Sequence, residues 1–190
     1  MKTTEPIRNK HQVREMAAYY LKKGQIRNYV LVTMGLYTAL RISDLLRLTW
    51  SDVYDFANLQ FHESISIKEK KTGKTKVIAL NKDIITALSA YMSAAAPQKP
   101  IIDNQQTGKA ISRIQAYRII RAAAEALKMP QKVSCHSLRK TFGYHLWKGG
   151  ISPVVIMQVY NHSSLAVTQR YLGITQDDLN EAYLSLSYND

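Results

Sequence analysis

The sequence predicts a mainly helical (α+β) domain that carries one small antiparallel β-sheet. Apolar residues recur at helical spacing along most of the chain, and alternation replaces this spacing only between residues 59 and 80. With 190 residues, 46% of them hydrophobic, the chain can bury one core. We therefore interpret residues 1–190 as a single domain, with residues 1–9 as an N-terminal arm and residues 175–190 as a tail helix.

The N-terminal part of the chain is predicted to be helical. One apolar face indicates a first helix over residues 10–23, which Gly24 ends. Residues 25–40 are more apolar throughout and predict a second, buried helix, and Ser43 is the predicted cap of a short third one. The first apolar face consists of Val13, Met16, Ala17 and Tyr20.

The sheet and the remaining helices follow. Apolar and polar residues interleave after Leu59, residues 71–74 predict a turn, and residues 77–80 return as the second strand. Residues 97–111 contain two prolines and a glycine and form the one long loop. Further helices are expected at residues 82–95, 112–128, 137–148, 152–160, 164–171 and 176–186.

The charge balance restricts the class of partner. The chain carries 26 Lys and Arg against 14 Asp and Glu, a net charge of +12, which favours a polyanion. Nucleic acid is the first candidate and an anionic membrane surface the second.

Cys135 is the only cysteine, so an intrachain disulfide is excluded and a reducing compartment is favoured. Without a signal peptide or a spanning apolar stretch, a soluble cytoplasmic protein is expected.

Several polar residues stand at positions that could carry chemistry. Taken singly, each has an ordinary explanation: a surface ion pair, a solvated lysine, a packed histidine or a core tyrosine. We find no zinc-ligand spacing, Walker loop or glycine-rich phosphate cradle, so neither a metal nor a cofactor is expected. The polar residues, in chain order, are Arg41 with Asp44, Lys71, His136 with Arg139, His162 and Tyr171.

Their order is more informative than any one of them. The series Arg, Lys, His-x-x-Arg, His, Tyr resembles the tyrosine recombinase (phage integrase) family, and the resemblance covers roughly residues 10–185. The surrounding residues match the family's boxes as well. These boxes are Gly35–Leu45 (first arginine), Lys70–Lys74 (lysine hairpin), His136–Phe142 (second arginine), and Val159–Ser164 with Thr168–Leu172 (closing segment).

The resemblance implies a bacterial or phage site-specific recombinase, or integrase, that cleaves and rejoins DNA in mobile genetic elements, without metal or ATP. A phosphodiester under attack gathers negative charge on its non-bridging oxygens, and guanidinium groups are suited to neutralise it. By resemblance, Arg41 and Arg139 form this clamp, and His162 donates a further hydrogen bond to the same phosphate.

The resemblance also assigns the proton transfers. Tyr171 is the implied nucleophile and gives a 3′-phosphotyrosyl intermediate, whose covalent link conserves the bond energy for rejoining. A free phenol has a pKa of about 10. His136 is therefore the implied base for Tyr171, and Lys71 the implied acid for the leaving 5′ oxygen.

The spacing of the last two residues leads to a structural inference. Tyr171 follows His162 by nine residues, and on a continuous helix nine residues rotate by about 900°, so the two side chains would point to opposite faces. A break is therefore expected, and Ser163–Ser164 is a suitable N-cap for the new helix. Just before it, Tyr160–Asn161 replaces the family's Leu-Gly, and asparagine tolerates a positive φ.

Charged residues outside this set have two interpretations each. Asp44, one turn after Arg41, either holds that guanidinium or is an ordinary acid at a helix N-terminus. The basic residues either contact DNA phosphates or form a solvated surface. They are Lys22, Lys23, Arg27, Arg113, Arg118, Arg121, Lys132, Lys140 and Lys148.

Partners follow from the resemblance. They are double-stranded DNA, further copies of the chain in dimers or tetramers on paired sites, and accessory DNA-bending proteins. About 40 residues precede Arg41, too few for a core-binding domain, so the chain resembles short family members or is a fragment. The tail helix carries an apolar stripe that packs either on its own domain or on a neighbour. The stripe consists of Leu179, Ala182, Tyr183 and Leu186.

Two alternative functions remain on the same fold. A DNA-binding protein that no longer cuts would lack a catalytic residue, and none of the six is missing. A type IB topoisomerase-like enzyme would relax a plasmid as a monomer, without paired sites.

Overall fold

The computed structural model describes residues 4–188 and confirms the mainly helical fold class. Within this range the helices and strands follow one another in the predicted order. The strands form two sheets instead of one, and the helices predicted over residues 25–40 and 82–95 end at Tyr37 and Ser89. The elements are α1 Lys10–Lys22, α2 Ile26–Tyr37, α3 Ile42–Leu45, β1 Tyr54–Asp55, β2 Gln60–Phe61, β3 Ser64–Lys68, β4 Thr75–Ala79, α4 Lys82–Ser89, α5 Arg113–Ala126, α6 Cys135–Lys148, α7 Pro153–Tyr160, α8 Leu165–Leu172 and α9 Gln176–Leu184.

The single predicted sheet is two antiparallel pairs. Phe61 pairs with Tyr54 in one hairpin, whereas Ile65 pairs with Ile78 in the other, so the alternating stretch is shared between two sheets. In the larger hairpin the alternate side chains of β3 and β4 point inward. One inward position of β4 holds Lys76, which is only 7% exposed.

Two long helices organise the core. α2 packs against α1, α4 and α6, and its residues from Val30 to Leu36 are all buried. α6 is buried on most of its circumference because α2, α5, α7 and α8 surround it. A small apolar cluster of Ala39, Ile156, Tyr160 and Leu172 joins α7 and α8 to the end of α2.

The start of α3 differs from the prediction. The N-cap residue is Arg41, in an extended conformation, and its carbonyl accepts hydrogen bonds from the amides of Asp44 and Leu45. Ser43 lies inside the helix, so its predicted capping role is wrong. The reason is that Ala39, with φ at +53°, turns the chain early and ends α2 at Tyr37.

The turn between β1 and β2 provides a test of backbone strain. Leu59 has φ at +52°, so its backbone is in the left-handed region, which an L-residue with a Cβ adopts only at a cost. Its side chain is 74% exposed, so little burial offsets that cost. We expect Leu59→Gly to raise the free energy of unfolding by about 1 kcal/mol. Thermal denaturation should then shift upward by about 2–4 °C. Leu59→Ala is the matched control, since it keeps the Cβ and should leave the melting temperature nearly unchanged; equal shifts in both variants would contradict the explanation.

Candidate active site

Side chains from widely separated segments of the chain converge on one open cavity of about 710 Å³. All six residues with a predicted catalytic role line it, together with Arg113, Tyr117 and Lys132, so its lining is strongly basic. The six are Arg41, Lys71, His136, Arg139, His162 and Tyr171.

The backbone turn at Ala39 places the two arginines side by side. Arg139, on α6, is 1% exposed and donates hydrogen bonds to the carbonyl oxygens of Ala39 and Tyr160, the latter at 3.0 Å. Its guanidinium carbon lies 4.7 Å from the centre of the Tyr160 ring. Because Ala39 is two residues before Arg41, the bond to its carbonyl fixes the second arginine beside the first. The Nε–H of Arg139 is buried and has no hydrogen-bond partner among the described residues.

A buried carboxylate that sequence reasoning missed supports both arginines. Glu69 lies at the end of β3, is 1% exposed, and its Oε1 is 2.8 Å from Nη1 of Arg41 and 3.9 Å from Nη1 of Arg139. Burial alone would raise the pKa of Glu69, but hydrogen bonds from Asn161 and Thr72 and the charges of the two arginines outweigh it, so this pKa is lowered.

Of the two interpretations of Asp44, the structure matches the acid at a helix N-terminus, since Asp44 lies in the first turn of α3 and not beside the Arg41 guanidinium. Its Oδ1 accepts the amide of Lys70 at 2.9 Å and lies 3.5 Å from the guanidinium of Arg47. It therefore anchors the backbone of the lysine hairpin at Lys70. The carboxylate beside Arg41, which one interpretation assigned to Asp44, is that of Glu69. The alternation of β3 could have indicated that Glu69 is buried, because side chains two residues apart share a face and Ile65 and Ile67 point inward.

Tyr171 lies among aromatic rings. Its ring centre is 4.7 Å from that of His162, 4.9 Å from that of His136 and 5.4 Å from that of Tyr160. The predicted break is present: α7 ends at Tyr160, its C-cap residue Asn161 has φ at +54°, and α8 begins after Ser164. Ser164 is the N-cap residue but makes no side-chain capping bond.

The two histidines share an electropositive environment. Nδ1 of His162 lies 3.0 Å from the hydroxyl of the buried Thr168. Burial, followed by the charges of Arg139 and Arg41, lowers the pKa of His162 to about 4. The pKa of His136 is lowered as well, by partial desolvation and by the charges of Arg139, Lys140 and Arg41, although its side chain reaches the protein surface. Both imidazoles are therefore neutral at pH 7 in the absence of DNA.

This environment predicts a pH-dependent stability. An unfolded histidine has a pKa of about 6.5, whereas His162 in the folded chain titrates near 4. Between these values the unfolded state binds more protons, so the free energy of unfolding is retained above pH 6.5 and falls as the pH drops toward 4. We expect a lower melting temperature at pH 5 than at pH 7.5. His162→Gln should show a smaller drop, and an identical pH slope in both proteins would refute the assignment.

Lys71 is exposed at the tip of the β3–β4 hairpin and lines the cavity. Within residues 4–188 its ammonium group makes no hydrogen bond or ion pair. Glu69 closes the hairpin through its backbone: its amide donates to the carbonyl of Lys74, and its carbonyl accepts the amide of Gly73, both at 2.9 Å. Gly73 has φ at +66°, which suits a glycine at this position of the turn.

The N-terminal arm is not free over its described part. Ile7 is fully buried, its amide donates to the Thr141 hydroxyl at 2.8 Å, and its carbonyl oxygen lies 2.9 Å from Nε2 of His145. Arg8 donates to the carbonyl of Gly173 at 2.8 Å. The arm therefore fixes the end of α8, two residues beyond Tyr171.

The structure contradicts the predicted DNA contact for two lysines. Lys140 is 4% exposed and lies 5.7 Å from the centre of the Tyr171 ring, because the helix that carries it is buried on nearly all sides. Lys148 forms ion pairs with Asp178 at 2.8 Å and Glu181 at 2.7 Å, and so holds α9 against α6.

The other basic candidates differ in what they contact. Arg27 donates to the carbonyl of Asp103 at 2.8 Å and is partly buried. Lys22 pairs with Glu15 and Arg121 with Glu125 on their own helices. The remaining candidates are exposed; they are Lys23, Arg113, Arg118 and Lys132. Arg113 and Lys132 line the active-site cavity, whereas Arg118 lines a separate depression beside Arg27.

Among residues 4–188, no helix has the length and apolar character needed to cross a membrane. Nor does the range contain a group of three or more His, Cys, Asp or Glu side chains arranged to hold a metal ion.

Comparison of the sequence with known proteins identifies relatives along the whole chain. The model of the phage integrase family matches residues 8–177. A probable integrase/recombinase of Bacillus subtilis, YoeC, is 36% identical over 183 residues, which are 96% of this chain and 97% of that protein. The tyrosine recombinase XerD of Mycobacterium tuberculosis is 27% identical over 83% of this chain and only 51% of its own length.

Solved structures share the fold. The XerA recombinase superposes with a TM-score of 0.78 at 21% identity, over 97% of this chain and 65% of that one. The XerH site-specific recombinase, bound to a palindromic difH substrate in a post-cleavage complex, also gives 0.78, at 19% identity and over 96% and 53% of the two chains. This chain therefore spans roughly half to two thirds of these larger proteins.

Proposed function

Because the chain belongs to the phage integrase family of tyrosine recombinases, we propose that it cleaves and rejoins DNA at specific sites through Tyr171. The observation that carries this proposal is the convergence of the six candidate residues on one basic cavity. A phosphodiester is the substrate that this set of donors fits, since the lining offers guanidinium, ammonium and imidazole groups around one phenol.

The arginines bind the scissile phosphate. Both arginines line the cavity. The side chain of Arg41 is 19% exposed and retains donors for an anion there, and Arg139, although 1% exposed, has an Nε–H that is bonded to no described residue. Their positive charge neutralises the non-bridging oxygens as the phosphorus is attacked. If the Thr168 hydroxyl donates to Nδ1 of His162, the imidazole proton is on Nε2, where it serves as a third donor.

The chemical step is an exchange of two phosphoester bonds. The Tyr171 oxygen attacks the phosphorus, the bond to the 5′ oxygen breaks, and a 3′-phosphotyrosyl link and a free 5′ hydroxyl result. The phenol proton passes to His136, and the Lys71 ammonium protonates the leaving oxygen. Rejoining reverses these transfers with a 5′ hydroxyl as the nucleophile.

The test is capture of the covalent intermediate. The DNA that flanks the gene supplies candidate repeats, and a duplex of such a repeat, nicked near the cleavage point, traps the adduct once the short strand diffuses away. We expect a protein–DNA band resistant to denaturant, with the 3′ phosphate on Tyr171, that forms equally well in EDTA. An absolute requirement for a divalent ion would indicate a nuclease-like mechanism and overturn the proposal.

The tail helix leaves an apolar stripe uncovered on the protomer. α9 contains no buried residue, and the apolar side chains of the stripe remain exposed: Leu179 by 47% and Tyr183 by 82% on the helix, and Leu186 by 64% two residues beyond its end. Packing on its own domain, one of the two alternatives left by the sequence, does not cover this stripe. We infer that the stripe docks on a neighbouring protomer when several protomers occupy paired DNA sites.

Truncation after Ile174 tests the role of the tail. The truncated chain should fold, because α9 contributes no apolar side chain to the core and is held to α6 through the ion pairs of Lys148, and it should still form the covalent adduct on a single site. It should fail to assemble on paired-site DNA in sedimentation and should lose strand exchange by at least about tenfold, the change expected for about 1.4 kcal/mol of lost interface. Normal assembly and exchange by the truncated chain would show that the tail is dispensable.

A further inference from the structure

Glu69 is the point where four segments of the proposed active site meet. Its Oε1 contacts Arg41 at 2.8 Å and lies 3.9 Å from Arg139. Its Oε2 accepts hydrogen bonds from the Thr72 hydroxyl at 2.9 Å and the Asn161 amide at 3.1 Å. The carboxylate is therefore bonded on both oxygens and has no exposed surface of its own.

Each contact leads to a residue of the proposed mechanism. Two of them are the phosphate-binding arginines. The other two, Thr72 and Asn161, are the immediate neighbours of Lys71 and His162. Both arginines line the cavity and Glu69 does not, so the carboxylate lies behind the guanidinium groups and leaves their cavity side to the substrate.

Asn161 makes this network possible. A glycine would satisfy the left-handed turn at φ +54°, but it would supply no side-chain donor. The asparagine supplies both the turn and the amide that reaches Glu69 across 92 residues of sequence. The departure from the usual Leu-Gly thus coincides with the residue that bonds the buried carboxylate.

We propose that Glu69 is a positioning residue that, with Asn161 as its partner, couples the lysine hairpin and the His162 turn to the arginine clamp. This proposal rests on the recombinase function proposed above. Two neighbouring guanidinium groups repel each other, and a carboxylate behind them offsets that repulsion without occupying the cavity. A phosphate entering from the cavity then meets both arginines, Lys71 and His162 already oriented.

Glu69→Gln tests whether Glu69 positions the catalytic groups or only stabilises the fold. Glutamine keeps the size of the side chain but removes the charge. Its one carbonyl oxygen is drawn to the arginines, and its amide nitrogen accepts no hydrogen bond, so the bonds from Thr72 and Asn161 are lost. Removing a negative charge from behind the clamp should leave affinity for the unnicked duplex equal or higher. Adduct formation at saturating DNA should slow by about 10- to 100-fold, as for loss of charge-assisted bonds that orient reacting groups. Wild-type rates, or affinity and rate falling together with the melting temperature, would overturn the proposal.

Asn161→Gly is the matched variant. Since glycine adopts the same turn without strain, the melting temperature should hold, while adduct formation slows by about tenfold, the effect of one charge-assisted hydrogen bond. The double variant with Glu69→Gln should be no slower than Glu69→Gln alone, because both changes break the same contact. Multiplicative effects would show that the two residues act separately.

Hydrogen exchange keeps this test independent of catalysis. In Asn161→Gly the amide of Gly73, in the hairpin on the far side of the carboxylate, should exchange faster than in the wild type. The amide of Ile78, within the same sheet but away from Glu69, is the internal control. If the wild-type chain forms no adduct, the recombinase function fails, but unchanged exchange at Gly73 is what would refute the coupling.

Discussion

Replacing Tyr171 with phenylalanine is expected to abolish the covalent adduct and to leave DNA binding unchanged. The ring of Tyr171 packs against His136, His162 and Tyr160 at 4.7–5.4 Å, and phenylalanine retains those contacts. Only the nucleophilic oxygen is lost, and removal of an enzyme's nucleophile lowers turnover by about 10⁴-fold or more. The measurement is adduct formation on the nicked duplex, with affinity for the unnicked duplex measured in parallel.

Tyr160→Phe is the control for this prediction. Tyr160 is the aromatic neighbour of Tyr171, but it is fully buried and its hydroxyl donates to the carbonyl of Arg139 at 2.6 Å. Its loss should lower the free energy of unfolding by about 1 kcal/mol and leave the adduct in place. An adduct that survives Tyr171→Phe and disappears with Tyr160→Phe would mean that the wrong nucleophile has been chosen.

Much of the fold and the membership of the candidate site could be predicted because the signals are local. Helical periodicity located the helices, and the nine-residue spacing of His162 and Tyr171 required the break that the structure contains. Asn161 was expected to tolerate a positive φ, and it does. Order along the chain, rather than any single residue, brought the six candidates together, and the cavity contains all of them.

The partners of these residues could not be predicted, since they depend on tertiary contacts. Nothing near Arg41 in sequence indicates that Glu69, 28 residues later, holds its guanidinium. Similarly, a lysine on an amphipathic pattern is expected to be exposed, yet Lys140 is buried because α6 is enclosed by other helices. Lys148 forms an ion pair with Asp178 in the tail, and this pairing depends on how α9 folds back against α6.

Arg139→Lys is expected to have the second largest effect, because it damages the clamp and the fold together. The guanidinium donates to two backbone carbonyls, of Ala39 and Tyr160, and lies over the Tyr160 ring. A lysine ammonium is a point donor that cannot reproduce this planar geometry. Losing a donor that stabilises the transition state lowers turnover by about 10²–10³-fold. Leaving buried carbonyls unpaired should also lower the free energy of unfolding by about 1–3 kcal/mol.

Arg41→Lys distinguishes the two effects. The side chain of Arg41 is 19% exposed and its contact within the described chain is the ion pair with Glu69, which an ammonium can retain. We therefore expect a similar loss of adduct formation at saturating DNA with a much smaller change in melting temperature. Since Arg139 is 1% exposed and Arg41 is at the cavity surface, their stability effects should differ even though their catalytic effects agree. Equal destabilisation by both substitutions would contradict the assignment of Arg139 as the arginine that joins the fold to the site.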